Sequence, residues 1–227
     1  MKIYLLDDNI NTFPNPELAN TNGLLALGGD LKSARILNAY ANGIFPWYTE
    51  NDPILWWSPN PRGVLFIDNY KVSRSMKKFL RKNIYTVTFD SDFSKIISLC
   101  REIRVKNGTW IDEKIINSYT ELYRMGYAHS VETRDLDGNI VGGLYGLSLG
   151  RVFFGESMFS LKENSSKVAL YYLINKLKKN NFKIIDCQFY TEHLGTLGAV
   201  DIPRSEYLQI LKDELRFETL LGNWEFL

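Results

Sequence analysis

The run FKIIDCQFY, residues 182–190, constrains this chain more than any other stretch. It is short, apolar and rich in strand formers, and so reads as a buried β-strand. Yet it carries Asp186 and Gln188. Side chains of a regular strand alternate between faces. Ile184, Asp186 and Gln188 are therefore expected on one face, and Ile185, Cys187 and Phe189 on the other. A buried carboxylate is costly unless it is paired or hydrogen-bonded. Two polar groups on one face form such a network either as a structural tie to a neighbouring loop amide or as part of a site.

The surrounding pattern supplies the sheet that such a strand needs. GVLFI (63–67) reads as a strand, KVSRSMKKFLRKN (71–83) as a helix and YTVTFD (85–90) as a strand. A helix follows from Phe93 to Arg104. Asp112 caps another, which Gly126 ends. YAHSVETR and IVGGLYGLSLG flank the hairpin signal Asp137-Gly138, and RVFFGESMFS is the next strand. Ser165 or Ser166 is expected to cap a helix reaching Lys179, with Leu170, Leu173, Ile174 and Leu177 as its apolar stripe. A short helix begins near Arg204. This order gives an α+β fold with a mixed sheet.

Residues 1–62 differ from the rest. They hold six of the seven prolines and three of the five tryptophans, with one helix predicted from Leu31 to Asn42. The division is therefore a small N-terminal domain, 1–62, followed by a larger domain, 63–227. At 45% hydrophobic, the chain can fill a core of that size. Net charge is only +1, which excludes a globally basic nucleic-acid binder but not a local basic patch. The two cysteines, Cys100 and Cys187, have no metal-type or redox-type neighbours, as in a reducing compartment. The N-terminal apolar run stops at Asp7 and Asp8, too short for a signal peptide, and no run reaches membrane-spanning length. These features predict a soluble, cytoplasmic protein.

Three further patterns could carry chemistry. Glu156, in FFGESMF (153–159), places a second carboxylate on a strand near that of Asp186. Such a pair suits acid–base or cation-handling work, and equally a satisfied salt bridge. On a helical wheel, Arg74, Lys77, Lys78, Arg81 and Lys82 fall on one arc of 71–83, opposite Val72, Met76, Phe79 and Leu80. An all-positive face suits a phosphate backbone better than a solvated face of mixed sign. Trp47, Trp56, Trp57 and Trp110 read as core or as the wall of a cleft. His129 and His193 are too few for a histidine-rich zinc site or a supported Ser-His-Asp triad, and both read as structural. GGLYGLSLG lacks the strand-turn-helix setting of a dinucleotide fingerprint.

Taken together, GLLALGGDL, AYANGIFPWYTENDPILWWSPNPRGVL, SRSMKKF, GTWI, GYAHSVE, GGLYG, GESMFS, SSKVAL, IDCQ and LGAVDIPR resemble the leucyl/phenylalanyl-tRNA–protein transferase family over nearly the whole chain. The resemblance implies a catalytic domain like the acetyl-CoA-dependent N-acetyltransferase fold behind a small N-terminal domain. It implies transfer of Leu or Phe, with Met as a further candidate, from aminoacyl-tRNA to the N-terminal Arg or Lys of a protein, which marks that protein for N-end rule degradation. It also implies no metal, no ATP and no other cofactor. Residues matching Asp186 and Gln188 would assist proton removal from the attacking amine, with Gln188 facing the amine and Asp186 polarising it. Glu156 would hold the reacting groups. Proton transfer through the terminal ribose hydroxyl is an equally compatible route.

By the same resemblance, Leu144, Leu170, Leu173, Leu177 and Ile185 form the aminoacyl pocket, bordered by Trp47 and Trp110 at the terminal adenosine. Positions 173 and 177 hold leucine where the family suggests aromatic residues. Arg74, Lys77, Lys78, Arg81 and Lys82 become the tRNA contact. One rival is an acetyl-CoA-dependent N-acetyltransferase, which would need a Gly-rich loop before a helix N-terminus; LKENSSKVAL has no glycine there, so no CoA is expected. The other rival is a non-catalytic RNA-binding module, which would use the basic helix alone.

Overall fold

In the computed structural model, which describes residues 3–7, 12–49, 52–105 and 108–226, the apolar run becomes an inner strand of a large sheet. The early chain forms β1 (Tyr4–Leu6), β2 (Leu24–Gly28), α1 (Ser33–Ala41), β3 (Phe45–Pro46) and β4 (Leu55–Trp57). Its strands make a sheet of order β1-β2-β4-β3. There follow β5 (Arg62–Phe66), α2 (Arg74–Leu80), β6 (Thr86–Phe89), α3 (Phe93–Arg104) and α4 (Glu113–Arg124). The remaining elements are β7 (Ala128–Arg134), β8 (Ile140–Leu149), β9 (Val152–Ser160), α5 (Ser165–Lys179), β10 (Ile184–Gln188), α6 (Glu192–Thr196), β11 (Val200–Ile202) and α7 (Arg204–Glu214).

The large sheet runs β11-β5-β10-β9-β8-β7-β6. It is mixed: β10 lies parallel to β9 and antiparallel to β5, while β7, β8 and β9 form an antiparallel meander. The architecture is α+β, as the sequence pattern predicts. Among the described residues, no helix is long and apolar enough to cross a membrane.

Alternation along the strands builds two core layers. Val64, Phe154 and Ile184 face a cluster that also contains Ile36, Tyr40 and Trp56 of the early chain with Ile97 of α3 and Tyr119 of α4. Their neighbours Leu65, Phe153 and Ile185 face the opposite cluster, where α5 lays down Leu170, Leu173, Ile174 and Leu177. The early segment therefore packs into the first layer rather than standing apart from it.

Helix starts follow side-chain capping. The N–H groups of Met76, Lys95 and Ile115 donate to Ser73, Asp92 and Asp112, at 3.1, 3.2 and 2.8 Å. At the β7–β8 hairpin, Asp135 accepts from the N–H groups of Asp137 and Asn139, and Gly138 takes the left-handed φ of 82° that the turn requires.

Three helices differ from the sequence reading, the first being α1, which spans Ser33–Ala41 where Leu31–Asn42 is predicted. Helix α2 covers Arg74–Leu80 only, because Asn83 turns left-handed at φ 50°; Arg81 and Lys82 lie in that turn. Helix α5 starts after a left-handed Asn164 with no side-chain cap. Ser165 instead turns its hydroxyl to the carbonyls of Val141 and Lys162, and the Ser166 N–H donates to Ser160.

The buried stripe of α5 should behave as core. Ile174→Ala is expected to lower the unfolding free energy by about 2–5 kcal/mol and Ile174→Val by about 0.5–1.5 kcal/mol, read from urea denaturation.

Candidate active site

Strands β9 and β10 run side by side only as far as the Phe154–Asp186 pair. Beyond it they part, and each carries a bulge. In β9, Tyr145 and Gly146 of β8 face Ser157 and Gly155, so Glu156 is the extra residue. In β10, Val64 and Gly63 of β5 face Asp186 and Gln188, so Cys187 is the extra residue, and Gln188 adopts φ 63°. A bulge re-aims the side chains around it. Small residues make room for both. A Cβ on Gly63 would lie 2.6 Å from the main chain of Phe189, and one on Gly146 would lie 2.2 Å from the Phe154 carbonyl.

The parted strands open a cleft of about 360 Å³. Leu144, Met158, Leu170, Leu173 and Ile185 give it apolar walls, and Glu156 and Gln188 bring polar groups to it. The Gln188 amide nitrogen donates to Glu156 Oε1 at 3.1 Å. Tyr40 and Tyr119, both fully buried, approach the same carboxylate at 2.6 and 3.1 Å and each other at 2.6 Å. Removal from water pushes the Glu156 carboxyl up to about 7, against the pull of the two tyrosine hydrogen bonds. Burial, reinforced by Glu156, raises both phenols well above their ordinary range.

Asp186 is placed differently from expectation. It is completely buried and forms a two-pronged pair with Arg62, Nε to Oδ1 at 2.8 Å and Nη2 to Oδ2 at 2.6 Å. The Tyr207 hydroxyl donates to Oδ2 at 2.8 Å, and the Gln188 backbone N–H donates to Oδ1 at 2.9 Å. The carboxylate therefore bonds the main chain of Gln188 rather than its amide, and it does not line the cleft. The bulge at Cys187 is the reason: it breaks the alternation that would put residues 186 and 188 on one face. Arg62 is itself buried, packed against the rings of Phe45 and Tyr207 and donating to the Gly43 carbonyl at 3.2 Å. Burial disfavours its charge, but Asp186 outweighs that and raises its pKa.

Of the expected pocket residues, Leu144, Leu170, Leu173 and Ile185 line the cleft. Leu177 does not; it lies in the core beneath, because the cleft ends before that turn of α5. Trp47 reaches the rim only through Phe189, ring to ring at 5.5 Å, and is 42% exposed. Trp110 is half-buried against the first core layer and is not a lining residue. His129 is buried against Asp90, whereas the exposed His193 lines the cleft. Arg74, Lys77, Lys78, Arg81 and Lys82 are all exposed around α2, beside a wider hollow of about 540 Å³ that Lys77 and Arg81 share with Tyr171 and Tyr172.

Tyr40, Tyr119, Arg62, Tyr207 and Met158 escaped the sequence reading. One signal was present for Tyr119: it sits in the buried stripe of α4 with Ile115 and Leu122, where a phenol needs a partner. Tyr40, Arg62 and Tyr207 arrive from distant parts of the chain with no local mark, while Met158 lies two residues beyond Glu156 on β9 and reads there as an ordinary apolar residue.

Comparison with known proteins identifies the family of the chain. The family model for leucyl/phenylalanyl-tRNA protein transferase matches residues 64–212, and that for the N-terminal domain of the same family matches residues 29–60. A relative of that name from Cellvibrio japonicus is 55% identical over 202 residues, covering 88% of this chain and 86% of the relative. Another, from Thermodesulfovibrio yellowstonii, is 51% identical and covers 99% of this chain and 92% of the relative. Among solved structures, a putative acetyl transferase from Pyrococcus furiosus shows 12% identity and a TM-score of 0.40, covering 49% of this chain and 87% of that one. L-PGS from Bacillus licheniformis shows 11% identity and a TM-score of 0.43, covering 75% and 56%.

Removing one member of the buried ion pair should expose its energetics. Arg62→Met leaves the Asp186 carboxylate without its cation, so unfolding in urea is expected at a free energy about 3–5 kcal/mol lower.

Proposed function

The chain belongs to the leucyl/phenylalanyl-tRNA protein transferase family, and we propose that the cleft between β9 and β10 is where the aminoacyl end of tRNA meets the α-amine of an acceptor protein. The protein is an aminoacyltransferase that moves an aminoacyl group from tRNA to a protein N-terminus. The observation that carries the site assignment is the coincidence of apolar walls with Glu156 and Gln188 in one open cleft.

The chemistry asks little of the protein. An aminoacyl ester is already activated, so its aminolysis runs downhill. What remains is to hold the two reactants together, to meet a neutral amine and to stabilise the developing oxyanion. Gln188 donates through its amide nitrogen to Glu156, which leaves its amide oxygen to accept an amine N–H. Asp186 acts as a positioning residue: it fixes the main chain of Gln188 at the bulge. Glu156 holds the reacting groups from the opposite strand. Proton transfer to the terminal ribose hydroxyl by substrate assistance fits the same arrangement.

Leu144, Met158, Leu170, Leu173 and Ile185 take the donor side chain, Leu, Phe or Met. Such a wall separates similar apolar side chains by only roughly 1–3 kcal/mol per methylene. Trp47 sits at the rim for the terminal adenosine. The basic surface at Arg74, Lys77, Lys78, Arg81 and Lys82 takes tRNA phosphates without a base code. Residues 1–62 act as a small domain that supplies Tyr40 as a hydrogen-bond partner of Glu156, and 63–227 as the catalytic domain. The acceptor begins with Arg or Lys, and its extension marks it for degradation by the N-end rule pathway in the cytoplasm.

Incubating Leu-tRNA with an Arg-initiated peptide should yield the leucyl-extended peptide by mass spectrometry; no extension would refute the assignment. Gln188→Ala should slow that transfer by about a hundredfold while leaving tRNA affinity within about twofold. Replacing Arg74, Lys77 and Lys78 by Glu should weaken tRNA binding and flatten the log Kd against log salt slope by about 2–3, as expected for three lost phosphate contacts. An unchanged slope would take α2 out of the interface.

A further inference from the structure

The three oxygens around Glu156 present a counting problem. Tyr40 touches Glu156 Oε1 at 2.6 Å, Tyr119 touches Oε2 at 3.1 Å, and the two phenol oxygens lie 2.6 Å apart. Three oxygen–oxygen contacts close a ring, but two phenols bring only two protons. With an ionised carboxylate, one contact must face lone pair to lone pair. Both phenols are completely buried, so water cannot separate them. A buried polar contact left unsatisfied is costly.

We propose that Glu156 is a neutral carboxylic acid in the resting enzyme and supplies the third proton of a closed ring. Glu156 Oε2–H donates to Tyr119, Tyr119 donates to Tyr40, and Tyr40 donates back to Oε1. Oε1 also accepts from the Gln188 amide, so all four contacts are satisfied. Tyr40 and Tyr119 are thereby positioning residues that fix the charge state of the cleft.

The other charged and titratable groups around the ring are consistent with this. Asp186 on β10 adds negative charge that disfavours a second carboxylate, and Arg62 on β5, which opposes it, is already committed to Asp186. Tyr145 of β8, Arg104 of α3, Cys187 of β10 and His193 of α6 line the cleft itself; Arg104 donates to the carbonyls of Cys100 and Met158. Removal from water already lifts the Glu156 carboxyl to about 7. The consequence for transfer is direct. A carboxylate beside the acceptor would stabilise it as an unreactive ammonium, whereas a neutral acid leaves the free amine, the only form with a lone pair for attack, at no disadvantage.

The ring makes a sign prediction that ordinary hydrogen-bond donation reverses. If each phenol only stabilised a carboxylate, deleting one would raise the Glu156 pKa. In the ring, Tyr40→Phe or Tyr119→Phe leaves one contact and one proton, so the extra proton is no longer needed and the pKa falls. Infrared spectra of the tRNA-free enzyme, with and without ¹³C-glutamate, should show a protonated-carboxyl band. It should persist at neutral pH, titrate at about 7 or above, and be absent in Glu156→Gln. In both Tyr→Phe variants its midpoint should move to lower pH. Two variants are used so that loss of folding in one does not decide the matter. No glutamate band in the wild type, a band that survives Glu156→Gln, or a midpoint that stays or rises in the Tyr→Phe variants would overturn the ring. The inference deepens the transfer reading but needs no tRNA for its test. A missing band therefore sinks the proton count alone, and a failed transfer assay sinks the transfer site alone.

Discussion

The fold turns on the fork between Arg62 and Asp186. Both side chains are wholly enclosed, so neither charge has water to fall back on. The pair draws in Tyr207 from α7, the Gly43 carbonyl after α1, and the backbone of Gln188. Strands β5 and β10, helix α7 and the turn after α1 thus meet at one ion pair. Burying two charges is seldom a net source of stability relative to apolar packing. It is, however, intolerant of misplacement: a shift of β5 against β10 would leave a charge unpaired. The pair therefore fixes register at the point where β10 leaves its regular course.

That departure creates the cleft. Parallel strands β9 and β10 would otherwise zip to their ends and give a closed sheet. Instead each inserts one residue at nearly the same level, Glu156 in β9 and Cys187 in β10. The strands separate, and the gap draws its walls from both core layers, with Tyr145 from one and Leu144, Leu170 and Ile185 from the other. Polar and apolar surfaces converge because the opening passes through the sheet rather than lying on top of it.

Much of the architecture was legible in the sequence, because periodicity reports burial. The stripe of α5, the Asp112 cap, the Asp137-Gly138 turn and the mixed strand order all follow from local pattern. The site was legible only in part. Alternation put Asp186 and Gln188 on one face, but it assumes an unbroken pleat, and the extra residue at 187 turns Gln188 toward Glu156. The partner of Asp186 lies 124 positions away, and Tyr40 reaches Glu156 across 116. No window of sequence holds both members of such a pair. Helix α2 came out shorter than its amphipathic pattern because the backbone reversal at Asn83 left no trace in hydrophobic spacing.

Helix α2 is seated on a small patch of its own, Met76 and Phe79 against Val168. Val168 belongs to α5, the same helix that presents Leu170 and Leu173 to the cleft. Five residues along a helix span only about 7–8 Å. The cationic arm and the apolar wall are therefore mounted on one stiff strut, and a load applied at the arm is delivered to the wall with nothing compliant in between.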